Sequence, residues 1–402
     1  MKARGVVGLI LGVAVIVGTT AAWAETWPMY QGNAAHTGYV PATLNPAQFA
    51  LRWQRNVGGS MDLNPVTAAD GKVFVSQYGY FSNAGLYTLS AATGNTLWSV
   101  NYGNVFSVNP PSYAFGNVYI QTGNHASDTY LRAYGADNGQ FVFRTAHAAQ
   151  WERYYSPTIY GDKVYVDGGY YGGMYAFDAH VGTQNWYQGL PQYDQWTPAV
   201  DANYAYSYVG DYTPALYVFN RMTGQPAYQI PDPDFQWNGW SMNQAPVLGA
   251  QQDALAIHDG RLISFNLQTH TIGWQQRRNF TGQPSLADGV IYAIDSGALT
   301  ARDEATGDLL WGWEVPSDSL IDTLIVTDSH VFARTASAVY AVDLQTHTSA
   351  WSYPASGHLA LSEGVLYIAG TAGDLTAIEV PEPAGAWLVV LGTLVVTARR
   401  RQ

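Results

Sequence analysis

The chain has 402 residues, 14% of them aromatic and only 12% charged, and its formal net charge is −12 at pH 7. A surface this acidic excludes nucleic acid and anionic lipid as expected partners. Cysteine is absent, which excludes a disulfide framework, thiolate metal ligands and cysteine nucleophiles.

Residues 1–24 have the pattern of a secretory signal peptide. Two basic residues precede an apolar run at 6–17, and Ala22 and Ala24 occupy the positions that a signal peptidase reads. The run is shorter than the roughly 20 residues of a membrane-spanning helix, which disfavours a permanent anchor. We expect cleavage before Glu25 and export across the inner membrane.

Residues 25–48 show no hydrophobic period and are expected to form an extended lead-in segment against the domain. The strand Phe49–Trp53 that follows has no local partner. Three strands near the far end, at 359–361, 365–368 and 375–379, lack a fourth. We therefore expect the N-terminal strand to complete the last sheet, which removes open sheet edges that would otherwise aggregate.

The rest of the domain repeats one small β-meander, seen most clearly at Gly289–Trp311, where Gly and Asp turns separate short alternating segments. The aromatic residue of its outer strand recurs at intervals of 37–46 residues, as Trp53, Trp98, Phe143, Trp186, Tyr228, Trp274, Trp311 and Trp351. This period, with four strands per repeat, predicts a β-propeller. We expect an all-β, eight-bladed β-propeller of four-stranded antiparallel blades over residues 49–380, the last blade closed by the N-terminal strand.

Residues that repeat from blade to blade are expected to be structural. The recurrent Trp is interpreted as inter-blade packing. His270 and His347 occupy the same Leu-Gln-Thr-His-Thr turn, and His180 is likewise interpreted as a turn residue. Asp178 and Asp343 precede the same kind of turn, where an Asp side chain bonds backbone N–H groups.

The repeat resembles the PQQ-like propeller repeat over about residues 27–380. The segments that follow its pattern are Gly71–Val75, Leu86–Leu89 and Thr93–Gly94 before Trp98, then Met174–Asp178 with Trp186, and Val339–Asp343 with Trp351. The resemblance implies the propeller fold. It implies no single function, because quinoprotein dehydrogenases, outer-membrane assembly lipoproteins and binding propellers share the repeat.

The same resemblance raises the hypothesis of a PQQ-dependent dehydrogenase. Such an enzyme needs a quinone in the central channel, a Ca²⁺ ion and a carboxylate base. The alcohol dehydrogenases of the family hold the quinone against two adjacent cysteines, which this chain lacks, and no Asn-plus-carboxylate cluster is assigned to Ca²⁺. We therefore expect no cofactor, no metal site and no catalytic residue, with PQQ and Ca²⁺ as the alternative.

Aromatic and polar residues that do not repeat crowd one predicted face. In a propeller, the loops that lead into the innermost strands, here called inbound loops, lie at the same face as the loops between second and third strands. Sugar rings stack on aromatic faces while their hydroxyls bond amides and carboxylates. The expected ligand-binding residues are Trp151, Glu152, Arg153, Tyr154, Tyr155, Tyr193, Asp194, Trp196, Trp237 and Trp240.

We therefore expect a non-enzymatic module that binds or scaffolds an extracellular polysaccharide or a surface protein, since Tyr and Trp also favour protein interfaces. The alternative that these aromatic side chains pack among the loops stays open. A polysaccharide-cleaving enzyme is a second alternative function, with Glu152, Asp194 and Asp211 as the available carboxylates.

Residues 381–402 have the pattern of a targeting segment. Pro381-Glu382-Pro383 precedes mostly apolar residues at 384–398 and three arginines, a marginal membrane helix stopped by positive charge. These parts resemble the PEP-CTERM sorting signal. The resemblance implies transient membrane contact, an exosortase-type partner enzyme, and delivery to the cell surface or extracellular matrix of a Gram-negative bacterium. A permanent C-terminal anchor is the alternative.

Overall fold

The computed structural model describes residues 25–123, 126–149, 153–169, 172–190, 195–210, 213–237, 239 and 242–383. The predicted signal peptide and residues 384–402 of the predicted sorting signal lie outside this part. Within it, regular structure is almost wholly β, and the helical segments are the short 3₁₀ turns Tyr30–Gly32 and Pro46–Gln48. The all-β prediction is confirmed.

Four antiparallel sheets follow one another in the first part of the domain. Three are four-stranded meanders as the repeat predicted, and the second has a fifth short strand, because Ser107–Val108 and Ser112–Ala114 both pair with Asn117–Gly123. The strands are Thr67–Ala69, Lys72–Ser76, Gly85–Ser90 and Thr96–Asn101 in the first sheet; Ser107–Val108, Ser112–Ala114, Asn117–Gly123, Ala126–Gly135 and Phe141–Ala149 in the second; Thr158–Tyr160, Lys163–Asp167, Gly173–Asp178 and Gln184–Gly189 in the third; and Ala199–Val200, Tyr204–Val209, Ala215–Asn220 and Pro226–Pro231 in the fourth. The innermost strand Thr67–Ala69 is buried, whereas the outer strand Thr96–Asn101 alternates between exposed and half-buried residues. Each sheet therefore runs from the interior to the surface.

The next meanders join into one long sheet. Its strands are Val247–Leu248, Asp253–His258, Gly260–Asn266, Thr271–Ala287, Val290–Asp295, Ala298–Asp303, Leu309–Trp313, Ile321–Thr327, His330–Arg334, Val339–Asp343 and Ser349–Tyr353, with Tyr39–Val40 of the lead-in paired in parallel to Ile321–Thr327. In a repeat of four-stranded meanders, the outer strand around Trp274 and the inner strand of the next meander near Pro284 would be two separate strands. They run together as Thr271–Ala287 because the linking residues Phe280 and Thr281 pair with the neighbouring strand.

The two ends of the domain share a closing sheet. Ala50–Asn56 pairs antiparallel with Asp374–Glu379, which continues to Val365–Ala369 and His358–Ser362. Trp53 lies opposite Ala377 in this register. The prediction that the N-terminal strand completes the last sheet is confirmed.

The repeated tryptophans fasten each sheet to the next. Their indole Nε1 groups donate to a turn carbonyl of the following meander: Trp53 to Ala91 at 2.9 Å, Trp98 to Ala136 at 2.8 Å, Trp186 to Arg221 at 3.0 Å and Trp274 to Glu304 at 3.0 Å. In the same turn as the first acceptor, Gly94 has φ +69°, and a Cβ there would lie 2.7 Å from the Trp53 ring. The predicted packing role of the tryptophans is confirmed.

The turn roles predicted for the repeated His and Asp residues are also confirmed. Oδ1 of Asp178 accepts from the backbone N–H groups of His180 and Val181, and Asp343 caps its own turn in the same way. His347, at φ +58°, stacks on Trp311 with ring centroids 4.3 Å apart, and His270 stacks likewise on Tyr228. In these two turns a histidine therefore packs on the outer-strand aromatic ring, in the position that glycine occupies in other meanders, as Gly94 does against Trp53.

Residues 25–45, here called the belt, cross the innermost strands one after another. Their hydrogen-bond partners in chain order are Glu363 for Glu25, Ala68 for Trp27, Tyr113 for Pro28, Ser156 for Tyr30, Val200 for Ala34, Leu248 for Ala35, Leu286 for Thr37, Val326 for Gly38 and Pro381 for Asn45. These partners lie in or beside the strands of all four separate sheets, in the long sheet and around the closing sheet. The innermost strands therefore converge on one axis, and the belt lies across it.

Candidate functional site

Five of the ten residues expected to bind ligand lie within the described part of the chain. Trp151, Glu152, Tyr193, Asp194 and Trp240 lie outside it, and so does Asp211. The described five are Arg153, Tyr154, Tyr155, Trp196 and Trp237, and the structure places them in three different environments.

Arg153 lies in an exposed group of rings, here called the aromatic cluster and made of Tyr78, Tyr80, Phe81, Phe106 and Arg153. Its guanidinium carbon is 4.6 Å from the ring centroid of Tyr78 and 5.0 Å from that of Tyr80, distances typical of cation–π contacts. Its Nε donates to the Tyr80 hydroxyl at 2.8 Å. Tyr78, Tyr80 and Phe81 are 37%, 39% and 50% exposed.

The cluster joins the two kinds of loop that the sequence placed at one face. Arg153 belongs to the inbound loop of the third sheet, and Tyr78 to Phe81 connect the second and third strands of the first sheet. Phe106, which packs edge-on against Tyr80 and Phe81 at 5.0 and 4.9 Å, was not among the expected residues. Its position in the inbound loop of the second sheet was the sequence signal that could have identified it.

Tyr154 and Trp196 are buried, and Tyr155 is half-buried. The Tyr154 backbone N–H donates to Asn109, and Trp196 bridges to Gln244 of the next inbound loop. Tyr155 stacks on Tyr30 of the belt with ring centroids 4.5 Å apart. Tyr154 and Trp196 thus pack inside the domain and Tyr155 packs against the belt, whereas Trp237 is 51% exposed.

A small axial cavity of about 120 Å³ lies where the innermost strands converge. Trp27, Tyr30 and Tyr155 line one side of it, and Asp322 and His358 line the other. The Asp322 carboxylate accepts from His358 Nδ1 at 2.6 Å and from Arg334 Nη2 at 2.7 Å. Desolvation would raise the pKa of Asp322, but the charges and hydrogen bonds of His358 and Arg334 hold it well below its usual range.

The axial residues do not fit a quinone with its Ca²⁺ ion. A volume of about 120 Å³ is below the roughly 300–1,000 Å³ of ligand pockets, and the stacked Tyr30 and Tyr155 occupy the space beside it. The charge of Asp322 is already matched by Arg334 and His358. Across the described residues, no three His, Asp or Glu side chains converge in a way that could hold a metal ion.

Asp322, His358 and Arg334 were missed by the sequence analysis. An acidic residue inside an innermost strand with no other charged residue, Ile321–Thr327, was the signal that could have revealed the first of them. Its partner Arg334 ends the neighbouring strand His330–Arg334, whereas His358 begins a strand of the closing sheet, so the contact with His358 depends on how two sheets pack together. In the described part of the chain, the structure contains no helix of the length and hydropathy needed to cross a bilayer.

A family profile described as outer membrane protein assembly factor BamB matches residues 36–166, 127–353 and 258–387. No curated protein matches the chain in sequence. Among solved structures, BamB from Moraxella catarrhalis is similar at a TM-score of 0.63 and 16% identity, over 82% of this chain and 99% of that one.

Two dehydrogenase structures are similar to the same degree. A europium-containing methanol dehydrogenase gives a TM-score of 0.67 at 12% identity, over 88% of this chain and 98% of that one. A quinohemoprotein alcohol dehydrogenase from Comamonas testosteroni gives 0.66 at 14% identity, over 92% and 83%. At these identities the likeness establishes the PQQ-type β-propeller fold and nothing about activity.

Proposed function

This chain belongs to the family of outer membrane protein assembly factor BamB, and we propose that it acts as a non-enzymatic binding propeller whose ligand is an extracellular polysaccharide. The observation that carries the proposal is the exposed aromatic cluster with Arg153 at its centre. Tyr78 and Tyr80 offer ring faces and hydroxyls, and Arg153 fixes both rings. Flat rings with nearby donors suit stacking and hydrogen bonding to sugars.

We propose that Trp237 and the undescribed residues Trp151, Glu152, Tyr193, Asp194 and Trp240 extend this surface. Trp237 lies in the inbound loop of the long sheet. In that loop Phe235 packs so closely on Gly210 that a Cβ at Gly210 would lie 1.8 Å from its ring. Gly210 follows the second strand of the fourth sheet, so the two kinds of loop meet here as they do at Arg153. That repetition supports a common face.

Substitution of exposed rings tests the polysaccharide proposal. Phe81→Ala and Trp237→Ala are expected to shorten retention of the protein on immobilised exopolysaccharide several-fold, because each removes a stacking face. Phe141→Ala is the matched control, since Phe141 is 62% exposed but follows the turn between the strands Ala126–Gly135 and Phe141–Ala149. Retention that is equal in all three variants and the wild type would contradict the proposal.

A surface protein is the second candidate ligand, favoured by the family description and by the half-exposed apolar ring of Phe81. Pull-down of surface proteins by the wild type but not by Phe81→Ala, with no retention on polysaccharide, would select it. The quinoprotein alternative predicts dye-linked dehydrogenase activity after addition of PQQ and Ca²⁺. The misfit of the axial cavity leads us to expect none.

We also propose that the meanders number eight and close into one ring. Four separate sheets, three four-stranded runs in the long sheet and the closing sheet support this number. The innermost strand Thr67–Ala69 contacts Ser112–Ala114 on one side and His358–Ser362 of the closing sheet on the other. An experimental map with seven or nine blades would overturn it.

For localisation we propose export, removal of residues 1–24 and exosortase-type processing of the tail at the cell surface. The sequence patterns at the two ends support this. Intact-mass measurement of surface-extracted protein is expected to show a chain that starts at Glu25 and has lost the apolar part of 384–402. A chain of full length at either end would contradict that step.

A further inference from the structure

A cavity of about 760 Å³ lies beside the belt, between the fourth sheet and the start of the long sheet. It is separate from the aromatic cluster and from the axial cavity. Its size falls within the roughly 300–1,000 Å³ of small-ligand pockets. Asn203, Gln252 and Asp288 at its edge are exposed, so the cavity opens to solvent.

The cavity is strongly acidic. Among the described residues that line it, Asp201, Asp253, Asp288 and Glu304 are carboxylates, and none is Lys, Arg or His. Asp201 is fully engaged, because it accepts from the Tyr206 hydroxyl and from the backbone N–H groups of Asn203 and Tyr204. The other acids leave negative charge without a cation beside it.

Asp253 and Glu304 form a buried pair. They are only 4% and 1% exposed, and a Cβ built on Gly249 would lie 2.0 Å from Asp253 Oδ1 and 2.3 Å from Glu304 Oε1. Both carboxyl groups therefore lie close to the Cα atom of Gly249, where only glycine leaves room for them because it has no Cβ atom. Each keeps an oxygen with no hydrogen-bond partner among the described residues, Oδ1 of Asp253 and Oε2 of Glu304.

Buried carboxylates without a cation are costly. Desolvation, together with the neighbouring charge of Glu304, raises the pKa of Asp253 to about 7, against the lowering effect of the hydrogen bond from Ser264. Without ligand, the pair therefore holds a proton near neutral pH. A bound cation would replace that proton.

Three tyrosines form one side of the same cavity. The Tyr204 ring lies edge-on to Tyr206 and Tyr228, with centroids 6.2 and 6.1 Å apart. Aromatic faces attract ammonium groups, and Leu248, Leu267 and Leu286 add apolar lining for an alkyl chain. A metal ion is not favoured, since no three His, Asp or Glu side chains of the described chain form a metal-binding group.

We propose that this cavity binds an ammonium group carried on an alkyl chain, with Asp253 and Glu304 as its counter-charge and Tyr204 and Tyr228 beside it. Such a group could come from a free polyamine or from a lysine side chain of a partner. The site is independent of the polysaccharide proposal.

The first experiment measures binding of two probes to the purified protein by calorimetry at pH 8. Spermidine represents the free polyamine, and a blocked Ala-Lys-Ala peptide represents the partner lysine, with the norleucine peptide as its neutral control. Binding of spermidine alone assigns the first source, and binding of the lysine peptide but not the norleucine peptide assigns the second. No binding of either probe at millimolar concentration overturns the proposal.

The second experiment compares Glu304→Gln with Glu314→Gln, which changes an exposed acid outside the cavity. Glu304→Gln is expected to weaken binding at least tenfold, whereas Glu314→Gln should leave it unchanged. Equal binding by both variants would mean nonspecific attraction to an acidic protein and would overturn the proposal.

The pH dependence of the wild type gives a readout that does not rely on any variant folding. Because the cation displaces the proton of Asp253, affinity is expected to fall about tenfold for each pH unit below 7. The other charged side chains around the cavity are Asp201 and Asp288. An affinity that stays constant from pH 8 to pH 5.5 would contradict the proposed counter-charge.

Discussion

At the scale of single residues, the Asp322 carboxylate connects its own strand to two others beside the axial cavity. It accepts from His358 and Arg334, which come from two other strands. Asp322→Asn is expected to lower the free energy of unfolding by about 2 kcal/mol at pH 7, because Arg334 loses its ion-pair partner and His358 loses its hydrogen-bond acceptor in a partly buried site. Urea titration measures this loss, with Asp308→Asn in an exposed turn as the control.

The same contact sets a pH dependence. The pKa of Asp322 is lowered on folding, so its contribution is complete above the unfolded value of about 4 and is lost as the pH falls further toward the folded pKa. The stability difference between wild type and Asp322→Asn should therefore be constant from pH 7 to pH 5 and smaller at pH 3. A difference that grows on acidification would contradict the assignment.

Trp196 and Trp237 are the same residue type in a buried and in an exposed position, so substituting each of them distinguishes a packing role from a surface-binding role. Trp196 is 1% exposed and Trp237 is 51% exposed. Trp196→Ala is expected to cost about 3–5 kcal/mol of unfolding free energy because it leaves a cavity in the core. Trp237→Ala should stay within about 1 kcal/mol, and urea denaturation of the two variants checks both values.

The candidate site was only partly predictable from the sequence, because the burial of each ring depends on contacts between segments that are distant in the chain. The sequence placed Arg153, Trp196 and Trp237 in inbound loops, and the structure agrees. Whether a ring then turns to the axis, as Tyr155 does toward Tyr30, depends on contacts with the distant belt. No local pattern specifies such contacts, so the aromatic cluster and the Asp322 contacts became visible only in the folded chain.

At the scale of elements, the meanders were predictable because alternation, turns and the recurring aromatic are local. The contact of Gly94 with Trp53 makes that periodicity testable. Gly94→Ala and Gly71→Ala impose alanine at nearly the same backbone angle, φ +69° and +68°, but a Cβ at Gly71 meets nothing within 4 Å. The conformational cost of about 1–2 kcal/mol is common to both.

The difference between the two variants therefore isolates the clash with the Trp53 ring. We expect Gly94→Ala to lose about 1–3 kcal/mol more than Gly71→Ala, measured by urea denaturation. Equal losses would show that the indole moves aside without cost and that the contact between the sheets is loose.

At the scale of the whole molecule, the belt ties all the sheets together. Deletion of residues 25–40, with Ala50–Asn56 kept, removes its hydrogen bonds to the innermost strands. We expect a lower urea midpoint and faster proteolysis in the inbound loops. Pro41→Ala, at an exposed belt position, is the control, and a deletion variant as resistant as that control would show that the innermost strands hold together unaided.

The belt also imposes an order on biosynthesis. Within the domain, residues 25–56 leave the ribosome before the rest, yet several of their partners, from Glu363 to Pro381, are among the last residues of the domain to be made. Native pairing of the two ends must wait until almost the entire chain has been synthesised, and contacts so distant in sequence form slowly. A product truncated before residue 374 would lack the strand that Ala50–Asn56 needs, so pairing of the two ends acts as a length check on the finished polypeptide.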